Sequence, residues 1–150
     1  ADFLHNLPAV LGVVMRSKVL YETDNRFVLK DTDRLKEYLF SLYADTIAER
    51  AYILFLNKGF RLIKYELICE GSIDEVYLDI KKAVRRALMN HAAYVVLTHN
   101  HPSGLVFPSD SDIISTRELS EALNTVKIGF WDHVIVGGNQ YYSFRESRNY

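Results

Sequence analysis

The sequence predicts an α/β fold, a mixed central sheet with helices on both faces. Three observations carry this reading. Near-continuous apolar runs at residues 51–56 (AYILFL) and 93–98 (AYVVLT) have the character of strands covered on both sides. Between them lie stretches whose apolar residues recur at helical spacing. Helices alternating with strands place helices on both faces of one sheet. At 150 residues the chain has one domain's worth of length. Such a chain can bury roughly 68–70% of its unfolded surface, so it needs no disulfide or metal merely to fold.

Residues 1–22 read as an irregular or short helical lead-in, because Pro8 and Gly12 break any long helix. A short strand is expected at residues 26–30. Asp31 or Thr32 then caps a helix in which Leu35, Tyr38, Leu39 and Leu42 fall at i, i+3, i+4, i+7. After the strand at 51–56, Asn57-Lys58-Gly59 makes a hairpin turn into a partner strand over 60–70. Alternation puts Ile63, Tyr65, Leu67 and Cys69 on one face of that strand, and Leu62, Lys64, Glu66, Ile68 and Glu70 on the other. Gly71 ends it. A helix is expected over 79–91, with Ile80, Val84, Ala87 and Leu88 turned inward. The strand at 93–98 runs into a Pro- and Gly-rich loop at 99–108. Ser109 opens a helix carrying Leu119, Ala122, Leu123 and Val126, followed by strands at 127–136 and 140–144 joined by Gly137-Gly138-Asn139.

Composition narrows the function. Hydrophobic residues are 49% and charged residues 25%, the balance of an ordinary folded domain. Eighteen Lys and Arg against nineteen Asp and Glu leave a net charge of -1, which argues against a strongly basic nucleic-acid clamp while allowing a local basic patch. The single cysteine, Cys69, excludes an internal disulfide framework and a zinc site built on paired thiolates. A reducing, cytoplasmic location fits that usage. The most apolar stretch, residues 7–15, is far short of the ~20 residues of a membrane-spanning helix and lacks a basic flank before it. The first residue is Ala1 rather than Met, as expected of a processed form or a fragment.

The chemistry concentrates in Thr98-His99-Asn100-His101-Pro102-Ser103-Gly104, followed by Pro108-Ser109-Asp110-Ser111-Asp112. In an extended chain, residues two apart point to one side, so His99 and His101 can hold a metal ion together at the mouth of a sheet. Pro102, Gly104 and Pro108 turn the chain back, and Asp112 in the first turn of the next helix can supply a carboxylate. Two histidines and one carboxylate leave a fourth position for water, the arrangement of a catalytic zinc site. Ser109-x-x-Asp112 is at the same time a helix capping box. Loops at strand ends are where sites sit. A proton acceptor is also needed, and Glu66 and Glu70 both lie on the less apolar face of the hairpin strand, with spacing alone unable to choose between them.

These residues resemble the metal motif of the JAB/MPN (JAMM) zinc metalloproteases, and within that superfamily the RadC branch. The resemblance rests on His99-Asn100-His101-Pro102-Ser103-Gly104, Pro108-Ser109-x-x-Asp112 and Asp132-His133-x-Ile135-Val136-Gly137. It divides the chain at residues 1–30, a lead-in or remnant of an N-terminal helical region, and 31–150, a RadC-like metal-binding domain. It implies a layered αβα sandwich similar to cytidine deaminases, with one zinc per chain held by His99, His101 and Asp112. It also implies an oxyanion-holding hydroxyl at Ser109. The family's catalytic Glu precedes a Gly-Ser/Thr step by five residues, and Gly71-Ser72 is that step, so the resemblance selects Glu66. The helix after that step usually opens with His-Pro-Arg-Glu in the family, whereas this chain has Asp79-Ile80-Lys81-Lys82, which implies a different pocket wall. His133 is expected to be buried and structural, and Cys69 to lie in the core.

The expected function is zinc-dependent hydrolysis of a peptide or isopeptide bond in a protein or peptide substrate. The alternative is a DNA-repair or DNA-processing factor, the label the RadC branch carries, with Lys81, Lys82, Arg85 and Arg86 as the basic cluster that would serve it. Two other zinc and iron chemistries fit less well. Base deaminases need a Pro-Cys-x-x-Cys ligand pair that one cysteine cannot provide, and two-His-one-carboxylate iron oxygenases are usually all-β.

Overall fold

The computed structural model describes residues 27–71 and 78–148. Most of the 1–30 lead-in, and Ser72, therefore lie outside the described residues. The elements are α1 (Thr32–Tyr43), β1 (Arg50–Leu56), β2 (Leu62–Glu70), α2 (Ile80–Met89), β3 (Tyr94–Asn100), α3 (Asp110–Thr125), β4 (Gly129–Gly137), β5 (Gln140–Ser143) and a single turn α4 (Phe144–Ser147). The five strands form one sheet in the order β2-β1-β3-β4-β5. Only β3 and β4 are parallel; the other neighbours are antiparallel. The α/β fold with a mixed five-stranded sheet is the architecture expected.

Alternation along the central strands explains the layering. Leu54 and Leu56 of β1 and Val96 of β3 meet Leu35, Leu39 and Tyr43 of α1 on one face. Ile53, Phe55, Val95 and Leu97 meet Ala83 and Ala87 of α2 and Leu119 and Leu123 of α3 on the other. Both faces of β1 and β3 are thus closed, which is why residues 51–56 of β1 and 94–97 of β3 are apolar without interruption. The helices start where their caps say. Asp31 accepts the Arg34 N–H at 3.0 Å, and Asp79 accepts the Lys82 N–H at 2.9 Å.

Four expectations change. Of the strand expected at 26–30, the described residues 27–30 hold a single bridge, Val28 to Arg61. β2 is an edge strand, so Ile63, Tyr65 and Leu67 are each more than 40% exposed rather than core. In α2 the small Ala83 and Ala87 face the sheet while Leu88 is half exposed. Most consequential, β3 continues two residues further than apolarity suggests, because its pairing runs on through His99 with β1 and through Asn100 with β4. His99 is therefore a residue of the sheet interior, wholly buried. Among the described residues, no helix is long and apolar enough to cross a membrane.

Candidate metal centre

The end of β3 brings His99 onto the face covered by α3. Pairing sets Ala51 of β1 on one side of it and Ile135 of β4 on the other. His101, just past the strand, leaves the β1 side, and its N–H donates to the Val136 carbonyl at 2.8 Å. A turn follows, closed by the Gly104 N–H on the His101 carbonyl at 3.0 Å. This turn lies so close to β4 that a Cβ on Gly137 would stand 2.9 Å from the Gly104 carbonyl atoms. Gly137 is what lets the histidine loop seat against the sheet.

Ser109 then caps α3 in a full capping box. Its Oγ accepts the Asp112 N–H at 3.1 Å, and Asp112 Oδ2 accepts the Ser109 N–H at 2.9 Å. The box orients the Asp112 carboxylate toward the histidines, with Oδ1 3.3 Å from His99 Nε2 and Oδ2 3.8 Å from His101 Nε2. The cap and the site share one carboxylate. The structure thus brings together His99, His101 and Asp112, with Ser109 beside them.

Hydrogen-bond partners assign the ring protons. The Thr116 hydroxyl donates to the Asp112 carbonyl at 2.6 Å, so toward His133 Nδ1, also at 2.6 Å, it can only accept. His133 therefore carries its proton on Nδ1. Its Nε2 then accepts from His99 Nδ1 at 2.8 Å. Burial holds His133 well below the ordinary histidine range, so the ring is neutral, as these hydrogen bonds require. His133 also stacks on Phe144 with ring centres 4.6 Å apart. On the other side, His101 Nδ1 meets the Leu105 carbonyl at 2.7 Å and must be the donor. Both Nε2 atoms are consequently bare, and they face each other at 2.9 Å.

Two lone pairs and a carboxylate converge with no proton among them. Burial opposes charge on Asp112, yet a proton shared with His99 Nε2, the His99 charge and the Ser109 N–H would hold its carboxyl well below the usual range. With the His99 proton committed to Nδ1, a cation is what can supply that positive charge. Tetrahedral zinc with bonds of about 2.0–2.1 Å sets its donors about 3.3 Å apart. The separations of 2.9, 3.3 and 3.8 Å are of that order. The residues present fit a metal ion. Thr116 and His133 also form the outer layer that fixes ligand tautomers at such sites.

A residue absent from the sequence reading joins the group. One ligand atom each from Glu49, His99 and His101 lie within 4.8 Å of one another, a group that could hold a metal ion. Glu49 precedes β1, the strand that pairs directly with β3. The available signal was an acid two residues before the apolar run at 51–56.

Glu66 is not brought to this group, contrary to expectation. It pairs with Ile53, which pairs with Leu97, so it stands two strands and two residues from His99. Strand spacing of about 4.8 Å and a rise of about 3.3 Å per residue separate their Cα atoms by roughly 12 Å. Its carboxylate is gripped by the Arg86 guanidinium at both oxygens and by Lys64 at 3.3 Å, with Asn90 Nδ2 at 3.4 Å. The Arg86 hydrogen bonds, against some desolvation, pull its pKa down to about 2. So weak a base, held by a fixed fork, is unsuited to take a proton from water. The other acid left open by spacing, Glu70, is paired with Arg50 at 3.2 Å. Arg86 is thereby engaged, leaving Lys81, Lys82 and Arg85 as the exposed cations of α2.

A cavity of about 630 Å³ opens beside His101, lined by Phe40, Tyr43, Ile47, Asn100 and Val136 among others.

The chain is similar to a UPF0758 protein of Vibrio vulnificus (strain YJ016), 42% identical over 141 residues, which are 93% of this chain and 62% of that protein. It is 40% identical, with the same coverage, to a UPF0758 protein of Vibrio campbellii. A UPF0758 protein of Aliivibrio fischeri is 34% identical over 135 residues, covering 89% of this chain and 60% of that one. The chain thus spans less than two thirds of the length of these relatives. Coverage of 93% exceeds what residues 31–150 alone provide, so the likeness extends into the first thirty residues. The model of the RadC-like JAB domain matches residues 29–149, and the chain belongs to that family.

Proposed function

We propose that this domain is a zinc-dependent hydrolase of peptide or isopeptide bonds, with His99, His101 and Asp112 as metal ligands, Glu49 as general base and Ser109 as oxyanion donor. The observation that carries the reading is the convergence of two unprotonated Nε2 atoms and a buried carboxylate, with the Glu49 carboxylate next to them. A bound zinc ion would acidify a water and polarise a carbonyl there. Glu49 takes the water's proton, the new C–O bond forms, and the same carboxylate returns the proton to the amine nitrogen as the C–N bond breaks. The Ser109 hydroxyl, whose oxygen accepts the Asp112 N–H at the helix cap, would donate to the developing oxyanion.

Metal analysis of protein purified without added metal tests the ligand set. About one zinc per chain is expected, lost in His101→Ala while the thermal melt persists. Retained metal in that variant would sink the assignment. On a fluorogenic peptide found by library screening, Glu49→Gln should keep the metal and lower turnover by ~10²–10⁴-fold, the contribution of a general base. Glu66→Gln should leave turnover within a few-fold. The reverse pattern would return the base to Glu66.

A further inference from the structure

Between the two histidines stands Asn100, to which the mechanism above gives no task. It is 5% exposed and faces away from them, as alternation along β3 requires. Its side-chain Oδ1 accepts the Arg50 N–H at 2.7 Å, and its Nδ2 donates to the Ala48 carbonyl at 3.0 Å. These are the backbone groups on either side of Glu49. The backbone ladder between β1 and β3 ends at Ala51 and His99, because the His101 N–H turns to Val136 on the opposite side. The Asn100 amide supplies the next rung, one acceptor and one donor in a single plane. Glu49's own carbonyl is held by the Gly71 N–H at 2.9 Å. The segment carrying Glu49 is thus bolted to the strand that leads through His99 to His101, by the one residue placed between the histidines.

We infer that Asn100 is a positioning residue, which sets the Glu49 carboxylate against the His99–His101 pair by clamping the backbone at Ala48 and Arg50. The inference rests on the reading of Glu49 as the base. Only an amide fits the task. Aspartate keeps the bond to Arg50 N–H but sets a carboxylate against the Ala48 carbonyl, and leucine keeps the size and loses both bonds.

The test uses Asn100→Leu, Asn100→Asp, Glu49→Gln and the Asn100→Leu/Glu49→Gln pair, with cobalt(II) as the metal probe. In metal-free protein, amide exchange at Arg50 should accelerate at least ~10-fold in Asn100→Leu and stay protected in Asn100→Asp. Cobalt affinity should hold within ~3-fold in both, since the ligands face the other side of the strand. Turnover in Asn100→Leu should fall about 10²-fold with KM within a few-fold, as a misplaced catalytic group costs. The paired variant should be no slower than Glu49→Gln alone, because the asparagine acts only through that carboxylate. If Glu49→Gln is inactive while Asn100→Leu turns over normally, the positioning role is overturned and the base reading stands. If Glu49→Gln is fully active, the base reading falls first. Loss of cobalt in Asn100→Leu, or additive losses in the pair, would show the asparagine supporting the ligands or the fold, and would also overturn it. Should Asn100→Leu fail to fold, Asn100→Asp carries the same comparison, with an intermediate loss of turnover expected.

Discussion

Two clusters built around carboxylates lie on the same helix-covered face of the sheet, and they differ in what confronts them. At β2, Glu66 meets donors only: Arg86, Lys64 and Asn90. Its charge is matched, and the cluster is complete as it stands. At the end of β3, Asp112 meets the edges of two imidazoles whose protons are committed elsewhere, to His133 and to the Leu105 carbonyl. That cluster consists of acceptors and is completed only by a cation. The family resemblance of the sequence names Glu66 and Asp112 alike as site carboxylates. The identity of their partners separates a structural ion pair from a metal centre.

The comparison would be sharpened most by Ser109, which belongs to the acceptor cluster and to a helix cap at once. Glycine is a tolerable N-cap, costing only a few tenths of a kcal/mol relative to serine. Ser109→Gly should therefore melt close to wild type. If the hydroxyl also serves the oxyanion, kcat should fall by ~10²-fold or more. Stopped assays on the screened peptide, alongside a melt, read both. A glycine variant with full turnover would leave Ser109 a cap alone.

A smaller effect should follow from Thr116→Val, which keeps the shape and removes the hydroxyl between Asp112 and His133. Without that acceptor the His133 proton is no longer confined to Nδ1, and His99 can carry its own on Nε2, where a metal would bind. Loss of an outer-layer partner of this kind typically costs about 10–100-fold in metal affinity. Competition titration with a chromophoric chelator measures it. Unchanged affinity would break the argument that the hydroxyl sets the tautomers, and with it the claim that the cluster holds acceptors only.

Much of this was legible in the order of residues. The alternation of apolar strands and amphipathic helices foretold the layers, because two-sided burial leaves an unbroken apolar run such as residues 51–56. The pair His99 and His101, the turn formers after them and the capping box at Ser109 and Asp112 are all local, so spacing places them. Glu49 was not legible, for a physical reason. Its position beside His99 depends on β1 pairing directly with β3, and strand order is a long-range property that no local pattern encodes. The same cause hid the role of Thr116. It lies on α3 and His133 on β4, and only the packing of that helix on the sheet brings the hydroxyl to the ring. The exposure of Ile63, Tyr65 and Leu67 was likewise invisible, since alternation marks a face but not whether the strand stands at an edge.

The smallest effect tests the matched cluster. Glu66 has an ordinary pKa of 4.5 and about 2 in the folded protein, lowered first by the Arg86 hydrogen bonds. A folded value below the unfolded one means that the unfolded chain binds more protons between the two, so stability rises with pH across that window. The contribution of Glu66 is therefore fully present above pH 4.5 and lost as pH falls toward 2. Glu66→Gln removes it, so the gap between wild type and variant should be constant near neutrality and close as pH falls through that range. The pair is partly open to solvent, so the gap should be small and should shrink further in 1 M salt, where screening acts within about 3 Å. Asp132 supplies the opposite sign: burial raises its pKa to about 6, so its effect on stability is lost as pH rises from 3.8 through 6, and Asp132→Asn should gain on wild type across that range. Denaturant melts from about pH 2.5 to about 7.5 on both variants separate the two signs. A Glu66→Gln gap that widened toward low pH, or that came with loss of bound metal, would mean that Glu66 belongs to the acceptor cluster after all, and the contrast between the two carboxylates would fail.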